Sequence, residues 1–570
     1  MRYTSAIPII LLLLSFTFGE DEAYPQHYFS APVPGPLRLS GTFGELRPGH
    51  FHAGIDIKGK VGDALLAAAE GYVSRITVSP DGYGKVLYLS HPNGYTTVYA
   101  HLAHFSPELE AYVRSHQYAI ESYAVDLQPE PGQFTFKPGA VIGAMGMTGH
   151  SFGPHLHFEV RGQEGNTMIN PLEFGLPVAD HRPPFMGRLR LYAIDREGDS
   201  HLQNDNRLSK GREGRYRLEQ GDTLYTHSPL SGLGLEVFDH QDGTANRNGA
   251  YSLKLYFDDS LAYYFNTERF QKEETRYLNA HLDYRALQED GFYFNRLYRM
   301  PGNGFSDYVK TGGLISLRPG ETANVLLEAG DIAGNTAKLN FVLKRAKGPL
   351  KITHPYYNYR LPFNEESAIQ TPSLELYFPE NSFYENLDLH YEPILEDSYG
   401  IYSLAHQIHY PATPVHHYFQ IGVRPTILIP DQLKSRAFVA LCSPGGAIVN
   451  CGGEWKDGFL QTRVRSFGTY CILADEEAPS ILPLNLKEDM SRAASIAFRV
   501  KDNYETAANV PGLKYRGTID GHWVLFEYDA KHGQLEYFFE NTLAQGRHQL
   551  RLEVEDAVGN IALFEYQFRR

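Results

Sequence analysis

Along most of the chain apolar and polar residues alternate with a period of two, the pattern that sends successive side chains to opposite faces of a sheet. "GYVSRITV" (71–78), "KVLYLSH" (85–91) and "YTTVYAHL" (95–102) carry it, and "PDGYG" and "PNG" between them are tight-turn signals. These runs predict an antiparallel meander. In "SPELEAYVRSHQ" (106–117) the period changes: Leu109, Tyr112 and Val113 recur at helical spacing, Ser106 is placed to cap and Pro107 falls at the first helical position. A short helix is predicted there, within an insert near 106–133.

Past "HRPP" (181–184) long alternating strands continue, and "AKGPL" (346–350) and "EEAPS" (476–480) read as linkers. "EAGDIAGNTAKLNFVLKR" (328–345) and "EVEDAVGNIALFEYQFRR" (553–570) repeat one another: an Asp, then Gly-Asn, then an alternating strand ending in two basic residues. A Gly-Asn turn feeding a closing strand suits the last hairpin of a small sandwich. The expected fold class is mainly β. An N-terminal antiparallel domain (20–180) is followed by about three β-sandwich, Ig-like modules at 183–346, 347–475 and 476–570.

Residues 1–19 pair Arg2 with the apolar run Ala6–Phe18 and read as a secretory signal peptide. A spanning helix needs roughly 20 apolar residues. The expected product is therefore exported, to the periplasm, the cell envelope or the exterior, with no transmembrane anchor after signal removal. The chain of 570 residues has a formal net charge of −15, and nucleic-acid binding, which needs clustered Lys and Arg, is not expected. Export would permit one disulfide among Cys442, Cys451 and Cys471; three buried thiols is the alternative.

Candidate chemistry is confined to the first domain. "GHFHAGIDIKG" (49–59) holds His52 and Asp56 as H-x-x-x-D, with His50 two residues before. "TGHSFGPHLHFEV" (148–160) puts His155 and His157 on one face of a strand, with Leu156 and Phe158 on the other, and His101 lies near the end of "YTTVYAHL". Zinc takes imidazole nitrogen and carboxylate oxygen, and a catalytic site needs three protein ligands and one open position. Four histidines and one aspartate exceed that need.

In their order, "HFHAGIDI", "YAHL" and "PGAVIGAMGMTGHSFGPHLHFEV" resemble the lysostaphin or LytM-type zinc endopeptidases, metallopeptidase family twenty-three, over about residues 35–175. The resemblance implies that His52, Asp56 and His157 ligate Zn2+ and that His101 and His155 act in catalysis without binding metal. It also implies a peptidoglycan substrate: peptide bonds of cross-links, stems or bridges, hydrolysed through a zinc-activated water. Such a ligand set brings the pKa of bound water from 15.7 to about 7. His101 and His155 then share the roles of oxyanion donor and proton carrier, in an order the sequence leaves open.

Some relatives carry a tyrosine shortly before the first ligand. Here no tyrosine lies between Tyr28 and Tyr72. The stretch Ser106–Gln133 would form a wall beside the cleft or pack away from it. The sandwich modules read as spacers or as docking sites for an envelope protein, with His416 and His417 in solvated loops and Trp455 and Trp523 as the only large flat platforms. The alternative to an enzyme is a silent relative that binds peptidoglycan or activates another hydrolase.

Overall fold

Strands dominate from the first described turn to the last. The structure, a computed structural model, describes residues 24–306, 312–352, 356–395, 400–540 and 543–570, and the expected signal peptide lies outside them. Among the described residues no helix is long and apolar enough to cross a membrane.

The N-terminal sheet is antiparallel. In chain order its main strands are β1 (Leu39–Gly41), β2 (Ile55–Lys58), β3 (Gly71–Val78), β4 (Lys85–Ser90), β5 (Thr96–Ala100), β6 (Val125–Leu127) and β7 (His155–Arg161), and their spatial order is β1-β2-β7-β5-β4-β3-β6. The predicted meander is therefore β3-β4-β5. β7 enters between β2 and β5, pairing His157 with Asp56 on one side and with Ala100 on the other. Its apolar alternates Leu156, Phe158 and Val160 are fully buried, which fixes the register, since a one-residue slip would turn the histidines inward.

The predicted helix is α1 (Pro107–Ile120), with Pro107 at its start, and it buries Leu109, Val113 and Gln117. Its far end meets the C-terminal region: Arg114 and Tyr118 both bond Glu540, Glu121 pairs with Arg516, and the Tyr118 and Trp523 rings stand edge to face at 5.0 Å. The insert's helix thus serves as a dock for the C-terminal region.

Among the described residues three further large cores follow. The second, centred on Leu189, Leu233, Leu255, Leu327 and Leu339, also takes in Phe43, Phe51 and Met168 from the N-terminal part of the chain. One ladder joins the two parts as well, Thr167–Ile169 pairing with Arg269–Gln271. The third core lies between residues 361 and 472, and the fourth between two four-stranded sheets spanning residues 480–569.

His416 departs from its expected solvated loop. It is 7% exposed, bonds the Tyr384 hydroxyl at 2.9 Å and stacks on Tyr277, because it sits where the second and third cores meet. Cys442 and Cys471 lie on adjacent strands with their sulfurs 3.6 Å apart, a thiol hydrogen bond and not a disulfide, and Cys451 is buried. Trp523 is spent on Tyr118, so of the two tryptophans only Trp455 is exposed.

Candidate metal centre

β2 and β7 run side by side, and that register brings Asp56 and His157 opposite each other on the same face. His52 comes from the turn that precedes β2. Gly54 lets this turn pass: a Cβ there would stand 2.3 Å from the Phe158 carbonyl oxygen. The result is three buried donors in a triangle. His52 Nε2, Asp56 Oδ1 and His157 Nδ1 are each 3.0 Å from the other two. Ligands about 2.0–2.1 Å from a tetrahedral zinc lie roughly 3.3 Å apart, so a small opening of the triangle fits it to one face of such a site.

The far side of each donor is already committed. His52 Nδ1 donates to the Thr42 carbonyl at 2.8 Å and His157 Nε2 to Glu159 at 2.9 Å, so the inward nitrogens carry lone pairs. Arg47 donates to Asp56 Oδ2 at 2.8 Å. Three lone-pair atoms facing one another in a buried pocket need a cation among them, a proton or a metal. The donor set fits zinc, and it is one of the His and acid clusters able to hold an ion. Burial favours neutrality, yet the bonds to Asp56 and Glu159 raise His157 to about 9. Burial likewise opposes charge on Asp56, but His52 and His157 hold it well below the usual carboxylate range.

The other two histidines flank the triangle. His101 follows β5 with φ +64°, a left-handed conformation that costs a non-glycine residue of order 1–3 kcal/mol and is held here by the bond from its backbone N–H to the Tyr83 carbonyl. Its Nδ1 donates to the Thr148 carbonyl at 2.8 Å, and His155 Nδ1 donates to the Gly153 carbonyl at 2.8 Å. Each Nε2 is then a free base. His155 Nε2 stands 3.6 Å from Asp56, and the His101 and His155 rings are 4.8 Å apart. Burial and the neighbouring imidazoles lower His101 to about 3; burial lowers His155 as well. All five residues expected from the sequence converge. His50 does not: it is exposed and bonds the Pro48 carbonyl.

Sequence reasoning passed over the groups that orient the donors: Thr42, Arg47, Tyr83, Thr148, Glu159 and Arg161. Glu159 is fully buried, taking bonds from His157, from the Tyr83 hydroxyl at 2.6 Å and from Arg161 at 2.7 Å. Burial opposes its charge, but His157 and Arg161 bring it to about 2. Alternation along β7 could have found it, because His155, His157 and Glu159 share one face. Tyr83, with its hydroxyl held by Glu159, is a positioning residue.

Comparison with known proteins agrees with this geometry. Residues 358–475 match the Zu5-like domain, and residues 50–171 match peptidase family M23. The DD-carboxypeptidase/endopeptidase Mpg of Neisseria meningitidis serogroup B is 33% identical over 150 residues, 25% of this chain and 28% of that protein. An uncharacterized metalloprotease of Haemophilus influenzae is 30% identical over 184 residues, 30% of this chain and 33% of that protein. The murein hydrolase activator NlpD of Escherichia coli is 32% identical over 141 residues, 25% of this chain and 30% of that protein. The chain spans a third or less of the length of each of these relatives. Residues 50–171, which hold all five candidate site residues, form a peptidase M23 domain.

Proposed function

We propose that the chain is an exported zinc metalloendopeptidase acting on the peptides of peptidoglycan. The observation that carries the reading is the triangle of His52, Asp56 and His157, each member oriented from behind and flanked by two histidines whose Nε2 atoms are free bases. His52, Asp56 and His157 would hold Zn2+, which supplies a Lewis acid and a water acidified toward neutrality. The protein's own part is proton handling. With pKa values below the ordinary range, His101 and His155 are neutral near pH 7, so either can take the proton of an attacking water and return it to the leaving amine. The protonated one becomes an N–H donor for the developing oxyanion. The carbonyls of Thr148 and Gly153 fix both rings with Nδ1 protonated, so neither needs to change tautomer.

A second reading, a silent activator of another hydrolase, is favoured by the similarity to NlpD. Muropeptide chromatography of cross-linked sacculi incubated with the zinc-loaded protein, with and without chelator, separates the two. Loss of cross-linked dimers with matching monomers, abolished by chelator, is the outcome expected for the enzyme. An unchanged profile with zinc bound would support the activator.

A further inference from the structure

The repeated segments at 328–345 and 553–570 are not used by the peptidase site, and each contributes a buried aspartate to a largely buried cluster elsewhere. Carboxylate oxygens of Asp180, Asp239 and Asp331 lie within 4.8 Å of one another, and so do those of Asp475, Asp502 and Asp556.

The two clusters are built alike. Asp180 and Asp475 each lie at the start of a β-rich region; Asp239 and Asp502 each directly follow a strand, Leu230–Phe238 and Ser495–Lys501. Asp331 and Asp556 open the Gly-Asn turn of the last hairpin. In both, the asparagine four residues on ties the turn to the linker: Asn335 Nδ2 donates to Asp331 Oδ2 at 2.8 Å and to the Asp180 carbonyl at 3.3 Å, and Asn560 Nδ2 donates to Asp556 Oδ2 at 2.7 Å and to the Asp475 carbonyl at 3.1 Å.

A separate observation points to a ligand. Asp239 is 3% exposed, and its Oδ1 has neither solvent access nor a hydrogen-bond partner. Among the described residues none of the six aspartates is ion-paired with Lys or Arg. Burial, with Asp180 and Asp331 beside it, raises Asp239 far above the usual carboxylate range. A buried carboxylate next to two others is costly unless a proton or a metal cation joins them.

We infer that Asp180, Asp239 and Asp331 form a calcium site fastening the linker at the start of the second β-rich region to that region's last hairpin; in the other trio each carboxylate already accepts protein N–H bonds, and it carries no assignment. The donors are oxygen only, which selects a hard cation. Two oxygens on opposite sides of an ion at about 2.4 Å are about 4.8 Å apart, and no pair of these donors is further apart than that; a site of several protein carboxylates suits calcium, whereas magnesium retains waters.

The test is calorimetric titration of Ca2+ into the full zinc-loaded protein after calcium has been stripped, with native mass spectrometry for stoichiometry. One equivalent is expected, lost in Asp239→Asn and retained in Asp502→Asn, with zinc content unchanged. Absence of binding at 1 mM free Ca2+ (on the order of the weakest extracellular sites), equal affinity for Mg2+, or binding retained in Asp239→Asn would overturn the assignment. Should either variant fail to fold, the unmodified protein still decides: its melting temperature must rise with Ca2+ and not with Mg2+.

Discussion

At the residue scale the N-terminal site is defined by what stands behind each donor. Glu159 fixes the His157 tautomer, and its replacement by Gln keeps an acceptor but removes the charge. Glu159→Gln is expected to weaken zinc binding about 10–100-fold, the usual cost of losing such a partner, measured by competition with a chromophoric chelator. His101→Ala should behave differently, retaining one equivalent of zinc while turnover falls by about 10²–10⁴. Loss of zinc in that variant would make His101 a ligand. Stability of the metal-free protein carries a further sign. The pKa of His157 rises from 6.5 to about 9 on folding, so its contribution is complete below about pH 6.5 and is lost as pH climbs through 9. The melting temperature without metal should therefore fall between pH 7 and 9.5, whereas the zinc-loaded protein, whose ligand nitrogen carries no proton, should stay nearly level over that range. Parallel curves would refute the charged pair. That His52, Asp56, His101, His155 and His157 meet was legible in the sequence because their motifs, in order, resemble the lysostaphin-type endopeptidases; local spacing alone left the choice among them open. The strained backbone of His101 was not, since it depends on a hydrogen bond from a neighbouring hairpin.

At the scale of elements, the site exists because β7 lies between β2 and β5. A side chain at Gly54 would strike the Phe158 carbonyl and push β7 off β2. Gly54→Ala is expected to cost about 1–3 kcal/mol by overpacking and to lower zinc affinity together with stability, measured by denaturant titration and metal content. Normal zinc binding in a destabilised variant would separate the two effects and show that β7 holds its place. The meander and α1 were readable, as each is a run of local pattern bounded by a turn or by Pro107, although the Ser106 side chain makes no capping bond. Less readable was the burial of Phe43 and Phe51 in the second core. Both are apolar residues in short segments, and only the pairing of distant chain, Thr167–Ile169 with Arg269–Gln271, decides which core receives them. His416 failed for the same reason: its surroundings come from Tyr277 and Tyr384, far away in sequence.

Across the whole molecule, the C-terminal region returns to the first domain. Besides the contacts on α1, Lys85 pairs with Glu527 at 3.0 Å, and Lys531 donates to the Ser151 carbonyl with its ammonium 4.2 Å from the Phe152 ring. Ser151 and Phe152 belong to the loop whose Thr148 and Gly153 carbonyls orient His101 and His155. Positioning is demanding, since an error of about 1 Å at a catalytic group can cost about 100-fold in rate. The contact therefore reads as a brace on the loop. Detaching the brace with Trp523→Ala and Glu540→Lys together, both far from the triangle, is expected to speed amide exchange over residues 148–155 and lower kcat about tenfold, leaving zinc content unchanged. A faster enzyme with the same gain in exchange would mean instead that the C-terminal region obstructs the cleft, and the wild-type protein would then be a restrained form awaiting release.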